Sequence, residues 1–165
     1  MKRELILIRH IKSAWGDLSL PDFERPIKKS RATDAEQMAK TLLNLGLKPD
    51  LILCSPAKRT KQTVEYFCTG LTYDYNRTQF DQRLYESSAQ DYLSVIRETS
   101  AAIETLVIVG HNPSITDFAN LFARPRIEEV PTTGVIWLEF DSADWELYTT
   151  TPAGLRHFLT PEKPE

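Results

Sequence analysis

LILIRHIKSAWG (Leu5–Gly16) runs an unbroken aliphatic stretch, Leu5, Ile6, Leu7 and Ile8, straight into Arg9 and His10. A run with no polar face reads as a strand buried on both sides, as in a parallel sheet covered by helices. Two later stretches repeat the pattern. Asp50-Leu51-Ile52-Leu53-Cys54 ends at Ser55-Pro56, and Leu106-Val107-Ile108-Val109 ends at Gly110-His111-Asn112-Pro113.

Helical spacing fills the gaps. Thr33 to Leu45 places Ala35, Met38, Ala39, Leu42 and Leu43 on one side, and Gly46 supplies the stop. Ser55-Pro56 predicts an N-cap and a first-turn proline for a helix reaching about Cys68. Ser88 to Glu98 and Pro113 to Phe122 predict two more helices, and Thr78 to Phe80 a short strand. Pro21 and Pro26 among mixed charges make Asp17 to Lys29 a loop. Near the end, Thr133–Phe140 and Trp145–Thr150 alternate in polarity and are joined by Asp141–Asp144, which predicts a C-terminal β-hairpin. Together these predict an α/β, three-layer sandwich: a mostly parallel central sheet flanked by helices, with the hairpin at its end. Residues 1–160 form one domain, and Pro161 and Pro164 among charges predict a frayed tail over 161–165.

Bulk properties narrow the class. The chain has 165 residues, 41% hydrophobic and 26% charged, with a net charge of −3. That balance gives no electrostatic drive toward nucleic acid or an anionic membrane. Neither a secretory leader nor a membrane-length apolar run is visible, so the expected location is the cytoplasm. Cys54 and Cys68 are too few for a disulfide framework and read as reduced, buried packing residues.

The strand ends carry the chemistry. Ligand sites in open α/β sheets form beyond the carboxyl ends of the strands. If the three aliphatic strands are parallel neighbours, Arg9, His10, Arg59 (one turn past Ser55-Pro56) and His111 converge. Two guanidiniums form a bidentate cradle for a tetrahedral oxyanion. An imidazole unprotonated at one nitrogen can attack phosphorus in such a cradle, and a second, cationic one can stabilise charge on the equatorial oxygens. Taken singly, each histidine reads as a hydrogen-bonded strand-end residue and Arg59 as a solvated helix residue. Their occurrence at three successive strand ends is what favours a phosphoryl site. A metal-binding pair of histidines is the other option, but adjacent arginines oppose a divalent ion and no third ligand lies nearby in sequence.

The blocks resemble a known family. Arg9-His10-Ile11-Lys12-Ser13 is similar to the R-H-x-x-S signature of the histidine phosphatase superfamily. Trp15 and Asp22-Phe23-Glu24-Arg25-Pro26 resemble its SixA-type phosphohistidine phosphatases. Ser55-Pro56-Ala57-Lys58-Arg59-Thr60-Lys61-Gln62-Thr63 resembles the S-P-x-x-R-x-x-x-T segment, and Gly110-His111-Asn112-Pro113 the G-H-N-P segment. The resemblance implies a phosphoglycerate mutase-like fold and a phosphatase with no metal or other cofactor. It implies His10 as the nucleophile that becomes phosphohistidine, with Arg9, Arg59 and His111 on the phosphoryl oxygens. It further suggests Ser13 and Asn112 as secondary substrate contacts and Arg25 at the entrance. Glu86, ahead of Asp81, is the candidate leaving-group acid by analogy with larger members. Arg31 stands where the family pattern has glycine, which puts the local loop shape in question.

The function this implies is hydrolysis of phosphohistidine or another phosphorylated protein side chain, a histidine phosphotransfer domain among the candidates. The short Phe80–Ser88 connection leaves little room for a lid, which favours a protein substrate. Alternatives are a general phosphatase for small esters, a mutase, and a non-catalytic phosphate-binding module; the last has no need of a nucleophile.

Overall fold

Side-chain alternation in the aliphatic runs builds two cores, one on each face of a single sheet. The computed structural model describes residues 1–162. Strands β1 (Lys2–Arg9), β2 (Leu51–Cys54), β3 (Gln79–Phe80), β4 (Thr105–Gly110), β5 (Val135–Asp141) and β6 (Ala153–Leu159) lie in the order β3-β2-β4-β1-β5-β6. The first four are mutually parallel; β5 runs antiparallel to both β1 and β6. Helices α1 (Ala32–Asn44) and α2 (Lys58–Gly70) pack together on one face, α3 (Ala89–Arg97) and α4 (Ser114–Asn120) on the other.

Successive residues of β1 serve opposite layers, because strand side chains alternate. Ile6 and Ile8 join Ile52, Val107 and Val109 against Met38, Leu42, Val64 and Phe67. Leu5 and Leu7 join Leu53, Leu106 and Ile108 against Tyr92, Ile96, Ile115 and Phe118. Each such side chain, fully buried, contributes roughly 1.5–3 kcal/mol of transfer free energy. The three-layer, mostly parallel architecture with a terminal hairpin is therefore as the periodicity predicts.

The hairpin's second strand is not. Trp145 to Thr150 forms no strand, and β6 begins at Ala153. Trp145 and Leu147 alternate because both plug the core: Trp145 donates its indole N–H to the Ile103 carbonyl at 2.7 Å, and Leu147 is fully buried. Arg97 donates to the Leu147 carbonyl at 2.7 Å, fixing the segment against α3. A period of two thus arose from packing under the sheet end.

The α2 start also differs. The helix begins at Lys58 with Ala57 as cap, so Ser55 is not the N-cap. Ser88 does cap α3, in a reciprocal capping box with Asp91. Arg31 has φ −104° and ψ 3°, so the loop needs no left-handed residue there, and its guanidinium pairs with Asp34 at 2.8 Å. Of the expected frayed tail 161–165, residues 163–165 lie outside the described residues.

Gly110, the last residue of β4, touches Tyr92: a Cβ there would sit 2.0 Å from the buried phenol oxygen. Gly110→Ala must push that ring aside, and overpacking of this kind costs about 1–3 kcal/mol. Urea denaturation should show a lower midpoint at unchanged slope; an unshifted midpoint would mean Tyr92 withdraws freely.

Candidate active site

Register brings the strand ends together. Arg9 lies opposite Gly110, and Cys54 and Ile8 both lie opposite Val109. His10 N–H then donates to the Gly110 carbonyl at 3.1 Å, and Ser55 N–H to the Val109 carbonyl at 3.0 Å. His10, Ser55 and His111 consequently leave three adjacent strands at one level. The His10 and His111 ring centroids are 5.3 Å apart.

His10 is fixed in orientation and in tautomer. Its Nδ1 lies 2.6 Å from the Ile11 carbonyl oxygen. A carbonyl only accepts, so Nδ1 carries the proton of the neutral ring and Nε2 keeps its lone pair. The Ile11 N–H in turn donates to Thr63 Oγ1 at 3.0 Å, and that hydroxyl donates to the Arg59 carbonyl at 2.7 Å. Thr63 therefore ties the turn after β1 to the helix that carries Arg59.

The cations are held from outside. Arg9 donates to the Val130 carbonyl at 2.9 Å and faces Glu129 at 3.6 Å. Arg59 donates to the Asp22 carbonyl at 2.8 Å and to its carboxylate at 3.0 Å. Asp22 also accepts from the Tyr85 hydroxyl at 2.6 Å and pairs with Arg25 at 3.1 Å. His111 Nε2 meets the Ser55 hydroxyl at 2.8 Å, and the Tyr85 ring packs edge-on to His111 at 5.5 Å. The Nε groups of Arg9 and Arg59 and Nδ1 of His111 are buried with no partner among the described residues.

Burial first, and then the neighbouring charges of Arg59, Arg9 and Arg25, lower the His10 pKa to about 4 against the opposing Ile11 hydrogen bond. Burial, then His10 and Arg59, lower His111 to about 3, with Asp22 opposing. Burial raises the Asp22 carboxyl, but the Tyr85 and Arg59 hydrogen bonds and the Arg59 and Arg25 charges outweigh it and hold the group below its ordinary value.

The remaining sequence candidates sit at varied distance from this centre. Ser13 is buried and bridges backbone to Ile27, closing the turn after β1 onto the Arg25–Lys28 segment. Asn112 donates to the same Val130 carbonyl that Arg9 uses and accepts from the Thr116 hydroxyl, so it anchors Arg9's support. Arg25 stacks on Trp15 with 3.6 Å to the ring centroid. Glu86 is exposed, at φ 50°, and forms no hydrogen bond or ion pair among the described residues. Asp81 is engaged by Arg83 at 2.7 Å.

Asp22, Tyr85, Ser55 and Thr63 escaped the sequence reading as individual site residues. The only signal was that Asp22, Ser55 and Thr63 lie inside the recognised blocks; nothing marked Tyr85. No group of three or more His, Cys, Asp or Glu among the described residues is placed to hold a metal ion. No helix among them is long and apolar enough to cross a membrane. A cavity of about 740 Å³ lined by Asp50, Arg77, Arg83 and Glu98 lies at the β3 edge, away from this centre.

No protein-family profile matches the chain. It is 30% identical over 154 residues to an uncharacterized chloroplastic protein of Arabidopsis thaliana, covering 88% of this chain and 70% of that one. Among solved structures, one from Agrobacterium tumefaciens, assigned as phosphohistidine phosphatase SixA, superposes with a TM-score of 0.81 at 25% identity, over 96% of this chain and 98% of the other. A mycobacterial glucosyl-3-phosphoglycerate phosphatase shares the fold at a TM-score of 0.69 and 14% identity, over 94% and 98%.

The two dry imidazoles couple stability to pH. Each takes a proton near 6.5 in the unfolded chain but only near 4 or 3 in the folded one. The unfolded state thus binds more protons as pH falls below about 6.5, and stability drops until those folded values are reached, by at most about 1.4 kcal/mol per pH unit for each ring. Urea denaturation at pH 7.5 and 5 should show this loss, and His111→Gln should roughly halve the slope. An unchanged slope would mean the His111 ring is not dry.

Proposed function

The chain belongs to the SixA-type branch of the histidine phosphatase superfamily, and from that membership we propose that it is a metal-independent phosphatase working through a covalent phosphohistidine on His10. The phosphatase class follows from the family; the nucleophile and substrate are the present proposal. The observation that carries it is the neutral His10 ring, its Nδ1–H spent on Ile11 and Nε2 left free beside Arg9, Arg59 and His111.

In this reading Nε2 attacks phosphorus as the bond to the leaving atom breaks. Arg9 and Arg59 hold the non-bridging oxygens as charge spreads over them. His111 is neutral in the free protein; an arriving dianion favours its protonated form, and the cation then adds to that hold. Water next attacks the phosphohistidine, freeing phosphate and restoring the ring. Ser13 and Asn112 shape the backbone around the cradle, and Arg25, stacked on Trp15, lines the entrance; Glu86, the acid the resemblance suggests, is exposed and has no hydrogen-bond or ion-pair partner among the described residues to hold it there.

The proposed substrate is phosphohistidine or another phosphorylated protein side chain, such as a histidine phosphotransfer domain, in the cytoplasm. The Ala14–Arg25 loop supports a protein substrate: Trp15, Leu18 and Leu20 on it are exposed, and Trp15 stacks on Arg25, which pairs with Asp22. A small phosphate ester is the second reading, favoured by the likeness to the glucosyl-3-phosphoglycerate phosphatase fold.

Incubation with labelled phosphoramidate should give an acid-labile, base-stable phosphoprotein, and His10→Ala should abolish it; label persisting in His10→Ala would remove the nucleophile. Arg59→Ala should lower kcat/KM on the order of 10²-fold or more. Chelator should leave turnover intact, and a large loss would restore a metal reading. Phosphate release from phosphohistidine peptides set against sugar phosphates decides between the two substrate classes.

A further inference from the structure

The established family and the proposed nucleophile leave one step without an agent: an ester leaving group needs a proton as its bond to phosphorus breaks. Glu86 is a poorly placed source, being exposed and without a partner among the described residues to orient it. Asp22 is differently situated. Its carboxylate is 3.0 Å from the Arg59 Nη2 and 2.6 Å from the Tyr85 hydroxyl, and Tyr85 packs against the His111 ring. Its own backbone carbonyl takes a second Arg59 N–H, so the residue is fixed at two points. Arg25, stacked on Trp15, holds the other carboxylate oxygen at 3.1 Å. A carboxylate thus shares the guanidinium that the cradle offers to an oxyanion.

We propose that Asp22 is the acid-base residue of this site, protonating the leaving oxygen and then accepting a proton from the attacking water. This rests on the His10 reading and adds to it. The arriving phosphoryl group competes for the Arg59 N–H groups. Asp22 loses part of that positive partner and gains a negative neighbour, and both changes favour its protonated form. The proton enters from solvent as the dianion binds, and the attacking water restores it in each later turnover.

The step balances. His10 Nε2 forms the N–P bond, the P–O bond to the leaving group breaks, and the leaving oxygen takes the proton of the Asp22 carboxyl to depart as the alcohol. Asp22 is then ionised. Water attacks the phosphohistidine, its proton returns to Asp22, the N–P bond breaks with its electron pair going back to Nε2, and phosphate leaves. The Tyr85 hydroxyl donates to the ionised carboxylate and orients it as a positioning residue.

The discriminating variable is how much the leaving group needs a proton. Wild type, Asp22→Asn and Glu86→Gln are compared on an alkyl phosphate, p-nitrophenyl phosphate and phosphoramidate, whose nitrogen already carries its proton. Asp22→Asn should lose on the order of 10²-fold or more in kcat/KM on the alkyl ester and less than about tenfold on phosphoramidate. Labelling of His10 by phosphoramidate should persist in Asp22→Asn. Unchanged alkyl-ester turnover in Asp22→Asn overturns the proposal, as does no alkyl-ester turnover in wild type, or the leaving-group dependence appearing in Glu86→Gln instead. If Asp22→Asn loses all three substrates alike, Asp22→Glu decides. Recovery confined to the esters supports an acid, while recovery on all or none makes Asp22 only a support for Arg59. Failure of the underlying nucleophile reading shows separately, as absence of label from wild-type His10.

Discussion

Positive groups crowded into a dry place repel one another and lose hydration, and the end of this sheet exists only because that cost is met group by group. Arg9 is met by Glu129 and the Val130 carbonyl, Arg59 by both the carbonyl and carboxylate of Asp22. The imidazoles are met by losing their protons. Neutrality of His10 follows from the same desolvation and repulsion that gather the arginines. An electrostatic difficulty of folding thereby leaves a neutral imidazole at ordinary pH, the form that the proposed nucleophile requires.

The scaffold's contribution is rigidity at the right height. β1, β2 and β4 are hydrogen-bonded on both sides and packed on both faces, so the residues just past their ends inherit well-fixed backbones. Close approach then demands particular residues. Gly110 leaves room for the Tyr92 phenol, Thr63 links the His10 turn to the Arg59 helix, and Asn112 shares the Val130 carbonyl with Arg9. None of these touches the reacting atoms in the proposed chemistry, yet each sets the position of one that does.

The Ala14–Arg25 loop links the anion cradle to the outside. Asp22 reaches inward to Arg59 and Tyr85, while Trp15 stacks on Arg25 and Leu18 faces solvent. An occupant that displaces the Asp22–Arg59 pair disturbs the loop that would also meet a protein partner. In the proposed chemistry, substrate binding and the local charge state are joined through this one short segment.

The sequence by itself determined the layers and the strand ends, because uninterrupted aliphatic runs can be stable only when both faces are covered, and the polar residues after them must then emerge at one edge. It also offered Arg9, His10, Arg59 and His111 as a candidate set, on the condition that the three strands are parallel neighbours, which the order β2-β4-β1 meets. It mistook the Trp145–Thr150 alternation for a strand and Ser55 for a helix cap, because a period of two and a Ser-Pro pair are local patterns that packing can satisfy in other ways. Only the tertiary structure decided that Ser55 meets His111, that Tyr85 meets Asp22, and that Asp22 meets Arg59. Those partners lie between 37 and 63 residues apart along the chain. Which side chain satisfies a buried charge depends on distances that exist only after the chain has folded.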